Sequence, residues 1–394
     1  MKKSSKVFKS EDAVEMFDAM AKWLAANQVS QKDDPNRGAV YFPTEDRFCN
    51  RDTACMARIF MRQLTRTEDN SWREKAALAR DYVLHAQKPI GGFPELRGRE
   101  ESDKASTVNT SIVAANLIKA YELGLDCGTR DLDALAKMAD FVMTLEWKPG
   151  AFYHDTNHAS AFKDRWGDEG SHLDCQNTTA LAAMILQRVY YFLETKGGNP
   201  KTTWLKAAGR AVEHLLEGQS DTGQWPYFFD AKWEDAGHHA MCIFYLAKAA
   251  SFSAHADNPE VSNALQRGAR WVIDKALLQT KLGTKINWAR SRTACLYFTS
   301  EYFFIAAALA LMSNLDAQNG DEHRHEALEL MRYVRTDLWD NVNYETEGPF
   351  RLTEAGIKIG YAWFGQSMGW AAYQLDELIE NMGWWEKSIP EKKK

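Results

Sequence analysis

The sequence has no run of about 20 apolar residues, the length a membrane-crossing helix needs, so no span and no membrane partner are expected. The charged start, Met1–Lys9, leads into no apolar segment of the kind a signal peptide carries. A periplasmic or secreted location, with the leader outside this sequence, is nevertheless the expectation; the cytoplasm is the alternative. An excess of basic residues is missing too. The 48 Lys and Arg are outnumbered by 54 Asp and Glu, and a net charge of −6 argues against a nucleic-acid partner. It leaves room for an anionic substrate wherever basic residues gather in a cleft. Proline is scarce, at 10 residues, and no linker or low-complexity tract divides the 394 positions. One domain over 1–394 is therefore expected, with flexible ends at 1–9 and 388–394. The six cysteines (49, 55, 127, 175, 242 and 295) follow no zinc spacing and are too few for a disulfide framework at this size. No metal and no other cofactor is expected, and the protein is read as a monomer.

Aromatic residues, by contrast, are plentiful, with 14 Trp, 14 Tyr and 19 Phe. Most belong to a large helical core, and the remainder suit the flat faces of sugar rings. Helical periodicity is clear. Ser10 can cap a helix that lines up Ala13, Met16, Met20 and Leu24, and Thr129 one with Leu135, Met138, Val142 and Leu145. Similar half-apolar stretches occupy 71–87, 203–218, 259–279 and 321–339. Each is followed by a glycine-plus-aromatic turn: Gly38 to Tyr41, Gly92-Phe93, Gly150 to Phe152, Gly223 to Trp225, Gly283 to Trp288, and Gly348 to Phe350. A second helix, apolar nearly all round, comes next, at 52–64, 108–122, 176–195, 238–253, 292–313 and 361–379. Amphipathic helices sit outside and apolar ones inside. The alternation implies an all-α fold, an (α/α) toroid of about six hairpins closed around a cleft; a seventh hidden in a long loop is the alternative count.

The inner-helix starts share a pattern. Aligned by eye they begin Asp52-Thr53, Asn109-Thr110, Asn177-Thr178, His238-His239, Arg292-Thr293 and Gln366-Ser367. Helix capping accounts for Asp52 and Asn109. It does not account for His238 or Arg292, and an arginine opposes the helix dipole there. An anion in the cleft would favour it. Equivalent positions in a toroid converge at one end, which places Asn177, His238, His239 and Arg292 on one wall. Tyr297 lies on the same helix as Arg292, and Tyr245, seven residues after His238, is the reserve tyrosine.

Asn, His, Arg and Tyr suit β-elimination from a uronic acid. Asn or Arg neutralises the carboxylate, neutral His or a phenolate takes the C5 proton, and Tyr protonates the leaving oxygen. With its helical hairpins, its Gly-aromatic turns and the set Asn177, His238-His239, Arg292 and Tyr297, the chain resembles the toroid polysaccharide lyases. It is most similar to polysaccharide lyase family 38, which cleaves alginate or glucuronan. The resemblance implies an anionic polysaccharide substrate, with Asn177 and Arg292 as neutralisers, His238 or His239 as base and Tyr297 as acid. Asn109, Trp225, Tyr227, Tyr245, Trp288, Arg290 and Gln366 are the substrate-binding candidates. Arg97, Arg99, Lys163, Arg165 and Lys285 are weaker loop candidates for guiding a polyanion. His154-Asp155 and His158 form a sparse metal-like group without a third helical ligand.

Three rival readings remain at this point. A glycoside hydrolase on the same toroid needs two carboxylates, which Asp52, Glu95, Asp174, Glu234, Asp235 and Glu301 could supply. A sugar epimerase or isomerase would use paired histidines. A non-catalytic carbohydrate-binding toroid needs neither.

Overall fold

A computed structural model of the chain describes residues 7–42, 47–94, 105–156, 175–227, 235–252, 255, 257–288, 299–339 and 368–388. An outer set of helices comprises Ser10–Ala26 (α1), Ser71–Ala86 (α3), Thr129–Thr144 (α5), Thr202–Gly218 (α7), Pro259–Trp271 (α9) and Gly320–Tyr333 (α11). The inner set comprises Asn50–Thr67 (α2), Thr107–Glu122 (α4), Gln176–Thr195 (α6), Ala236–Ser251 (α8), Ser300–Leu315 (α10) and Met368–Asn381 (α12). Each inner helix packs on the next, and α12 packs back on α2, which closes the ring. The outer helices lie in the grooves between successive inner ones. The fold is an (α/α) toroid, with six hairpins among the described residues.

Burial follows the two patterns that separate the sets. In α10 every residue from Ser300 to Met312 is buried, whereas α9 buries one stripe: Val261, Ala264, Leu265, Gly268, Ala269 and Trp271. Phe8 is also buried, with its ring 6.3 Å from that of Trp384, the residue before the short helix Trp385–Ser388 (α13). The expected caps Ser10 and Thr129 are instead first helical residues. Asp12 and Asp131 accept from the backbone N–H of Lys9 and Gly128, so an acidic third residue satisfies the entry. The helix expected over 259–279 stops sooner. After Trp271 a wide π turn, Val272–Ala276, leads into Leu277–Thr280 (β1), which pairs antiparallel with Gly283–Ile286 (β2). The 321–339 segment likewise passes into a π turn at Val334–Leu338.

Neighbouring hairpins are tied by a device that recurs round the ring. Gly38, Gly91, Gly150, Gly223 and Gly283 all have positive φ, and a Cβ on any of them would lie within 2.1–2.6 Å of a carbonyl oxygen on the following outer helix. In the second hairpin the residue is Gly91 rather than the expected Gly92. A glutamine reinforces the junction in three repeats. Gln28 Nε2 donates to Gly38 O and Lys75 O, Gln87 Nε2 to Gly91 O and Ala134 O, and Gln219 Nε2 to Gly223 O and Ala264 O. Gly223→Ala therefore meets both an unfavourable φ of 90° and the Arg267 carbonyl at 2.6 Å. It is expected to cost about 2 kcal/mol or more, read from the denaturant midpoint.

Candidate functional site

Four inner helices, α2, α4, α6 and α8, start one to two residues before Asp52, Asn109, Asn177 and His238, and this changes what the polar residues do. Their N-caps are Cys49, Ser106, Cys175 and Asp235 for α2, α4, α6 and α8. Asp52 and Asn109 are thus third helical residues, not caps; Ser106 Oγ itself accepts from the Asn109 N–H. The fourth helical position or its counterpart has one structural task in five repeats. Thr53, Thr110 and Thr179 each accept, through the side-chain hydroxyl, from the backbone N–H of a turn residue: Val40, Phe93 and Phe152 respectively. In the fourth repeat His239 Nδ1 accepts from Trp225 N–H at 3.0 Å, and in the fifth Tyr302 Oη accepts from Ile286 N–H at 3.3 Å.

This bond fixes the register of the repeats. The residue before each acceptor is Asp52, Asn109, Thr178, His238 and Glu301; the first four are each third in their helix, and Glu301 is second in α10. Two alignments are corrected: in the third repeat the equivalent of Asn109 is Thr178 rather than Asn177, and in the fifth the counterpart of His238 by this bond is Glu301. Arg292, Tyr297, Arg290 and Gln366 lie outside the described residues, as do Arg97, Arg99, Lys163, Arg165 and His158.

The two histidines separate cleanly. His239 is fully buried: Nδ1 accepts from Trp225 N–H, Nε2 donates to Gly268 O at 2.9 Å, and the ring packs between Trp225 and Trp271. It holds the turn and has no nitrogen left for a substrate, which corrects its candidacy as a base. Trp225 is corrected with it. At 1% exposure, with its indole N–H on Leu215 O, it is a core plug and not a sugar platform. Burial lowers the His239 pKa to about 4. Between the ordinary value of 6.5 and 4 the unfolded chain takes up a proton that the folded chain refuses, so stability falls as pH drops through that window. The expected loss is about 3 kcal/mol. Unfolding midpoints at pH 7 and pH 4 measure it, and His239→Thr should flatten the slope there while lowering stability overall.

His238 is different. Its side chain keeps 14% of its surface exposed, and Nδ1 lies 2.7 Å from Asp235 Oδ2. A carboxylate only accepts, so Nδ1 carries the proton and Nε2 is the basic nitrogen. The other Asp235 oxygen accepts from the His238 backbone N–H at 3.0 Å, so one carboxylate caps α8 and orients the imidazole. Tyr227 packs its ring 4.3 Å from that of His238, and its carbonyl accepts from the Gln176 N–H at the head of α6. Asn177 reaches the same place. Its Oδ1 accepts from Cys175 Sγ, and its Nδ2 points at Met241 Sδ, one turn beyond His238. The fold thus brings together Asn177, Tyr227 and His238.

Other candidates fall elsewhere. Tyr245 is 1% exposed, and burial beside Tyr373 pushes its hydroxyl pKa well up. It belongs to the packed interior below the site, so its place as a reserve acid is corrected. Trp288 meets Tyr302 edge-on at 6.2 Å on the fifth hairpin. Asn109 is buried, and its Oδ1 has no partner among the described residues, as is true of Thr178 Oγ1. Asp52 is fully buried, with Oδ1 accepting from Trp370 N–H and Oδ2 from Cys49 Sγ and Arg51. Burial raises its pKa, and Arg51, stacked 4.1 Å over Trp370, works against that rise. It ties α12 to α2. His154 Nδ1 approaches Asp155 at 3.4 Å, near the head of α4.

The sequence matches no protein-family model and no curated protein. Solved structures of the same fold are numerous. An unsaturated glucuronyl hydrolase specific for heparin aligns at TM-score 0.64 and 11% identity, covering 95% of this chain and 99% of its own. The cellobiose 2-epimerase of Bacillus thermoamylovorans aligns at 0.66 and 12%, covering 94% and 100%. A D-mannose isomerase aligns at 0.61 and 13%, covering 93% and 97%. At these identities the likeness is one of fold, and it narrows the resemblance to family 38 to the toroid that all of them share.

Proposed function

We propose that the protein is a carbohydrate-active enzyme that removes a proton from a sugar carbon next to a carbonyl or carboxylate, with His238 as the base. The Asp235–His238 pair carries this reading: a carboxylate-oriented, partly exposed imidazole at the head of an inner helix is an arrangement suited to general base catalysis. The first substrate class is a uronic-acid polysaccharide such as alginate or glucuronan, cleaved by β-elimination. Asn177, one turn from the imidazole, supplies an amide donor to the uronate carboxylate, and Tyr227 lends an aromatic wall. Arg292 keeps its proposed role as second neutraliser, and Tyr297 is one of the candidates for the acid.

The same pair supports a second reading, epimerisation or isomerisation of a free sugar at the carbon beside its carbonyl. The epimerase and isomerase among the fold neighbours favour it. Hydrolysis has less support, because Asp52 is committed to Trp370, Cys49 and Arg51, and Asp235 to His238. Incubation with alginate, glucuronan, mannose and cellobiose separates these. A new ultraviolet absorbance from a 4,5-unsaturated uronide indicates elimination, and solvent deuterium at C2 with a changed sugar indicates epimerisation or isomerisation. New reducing ends without either signal would mean hydrolysis and sink the proposal.

A further inference from the structure

We infer that Glu301 is the proton donor that works opposite His238; this rests on the proton-abstraction reading and names its second half. Two independent observations lead there. Glu301 precedes Tyr302 on α10 as His238 precedes His239 on α8, and Tyr302 and His239 each accept from a turn N–H. Its side chain also crosses from α10 to the head of α8. A Cβ at Gly237 would stand 3.0 Å from Glu301 Cδ and 3.3 Å from Oε2, so the carboxyl rests on the residue adjoining His238. Only glycine at 237 leaves it that space. Glu301 is buried, at 6% exposure, which favours the protonated carboxyl that a proton donor needs.

In elimination the proton balance is as follows. The C5–H bond breaks and its proton goes to His238 Nε2. The electron pair forms the C4–C5 double bond as the C4–O bond breaks. The Glu301 carboxyl gives its proton to the departing oxygen. One proton is gained at His238 and one lost at Glu301, and exchange with water restores both.

The test uses Glu301→Gln, which keeps the shape and removes the transferable proton. On the polyuronate that the wild type cleaves, cleavage should fall at least about 100-fold, while exchange of the C5 hydrogen with solvent deuterium stays within about tenfold of wild type. A 4-fluoro uronide, whose leaving group needs no proton, should restore turnover. Loss of cleavage and exchange together, or retention of both, would overturn the assignment. So would the same split in Tyr297→Phe with Glu301→Gln unaffected, and so would a wild type inert on every uronide. His238→Gln with full exchange would instead remove the base and leave Glu301 standing, which keeps the two failures apart.

Discussion

His238→Gln lowers turnover by about 10²–10⁴-fold, the usual worth of a positioned base, and leaves the thermal midpoint within a few degrees of wild type. The two halves of that expectation come from different atoms. Chemistry uses the ring, whereas the fold uses the backbone N–H, which donates to Asp235 Oδ1 and survives the substitution. Asp235→Asn sharpens the experiment. Asparagine caps helices about as well as aspartate, so stability should hold. Its amide, though, no longer forces the proton onto Nδ1, and turnover should drop with the wrong tautomer. Steady-state rates on the responding sugar, with circular dichroism melts on the same samples, read both effects. A His238→Gln protein that keeps more than a tenth of its activity would refute the role. His239→Gln is the matched control: its main effect should be on the melt, because its ring spans Trp225 and Gly268 in the core.

The contrast between two adjacent histidines also marks the limit of what the sequence could reveal. The toroid was legible because amphipathic and apolar helices alternate, a signal summed over some fifteen residues at a time. The register of the inner-helix starts depends on one hydrogen bond each, made to a turn 13 to 27 residues away. Locally, Asn177-Thr178 reads as well as Thr178-Thr179, and Arg292-Thr293 looks like Asn109-Thr110. Only the bond from Phe152 N–H to Thr179, and that from Ile286 N–H to Tyr302, decides between them. By local sequence alone Glu301 is therefore one of several carboxylates, and Arg292 fits the aligned position. The sequence does carry one signal for the turns. A Gln or Glu precedes the turn glycine by four residues at 87/91, 146/150, 219/223 and 279/283. In the third repeat Glu146 takes the glutamine's place, accepting from Gly150 N–H and from Arg210. That spacing would have marked Gly91 over Gly92.

At the far end of the ring, Arg58→Met is expected to cost about 3–5 kcal/mol, the loss typical when one member of a buried ion pair is removed. Arg58 is wholly buried on α2, with Nε on Asp376 at 2.6 Å and Nη1 on Glu377 at 2.8 Å, both on α12. Arg62 adds a bond to Asp376, Lys248 of α8 reaches Glu377 and Lys119 of α4 reaches Glu380, so the cluster fastens three inner helices to the last one. Without Arg58 the two carboxylates keep their burial and lose their central cation. The pH dependence identifies the cause. Against the pull of burial, Arg58 and Lys248 hold the Asp376 and Glu377 pKa values below the ordinary carboxylate range. Their contribution is therefore present above about pH 4, where the unfolded carboxyls are ionised, and is lost as pH falls toward the folded values. The difference between wild type and Arg58→Met should be largest near neutrality and shrink in acid, as the orphaned carboxyls protonate and no longer need a cation. Denaturant unfolding at pH 7 and pH 3 measures this, and an equal penalty at both would point to lost packing instead. Lys248 follows His238 by ten residues of one helix, about 15 Å along the axis. The folded fraction of Arg58→Met should therefore keep its turnover per molecule, because the cluster that closes one end of the ring takes no part in proton transfer at the other.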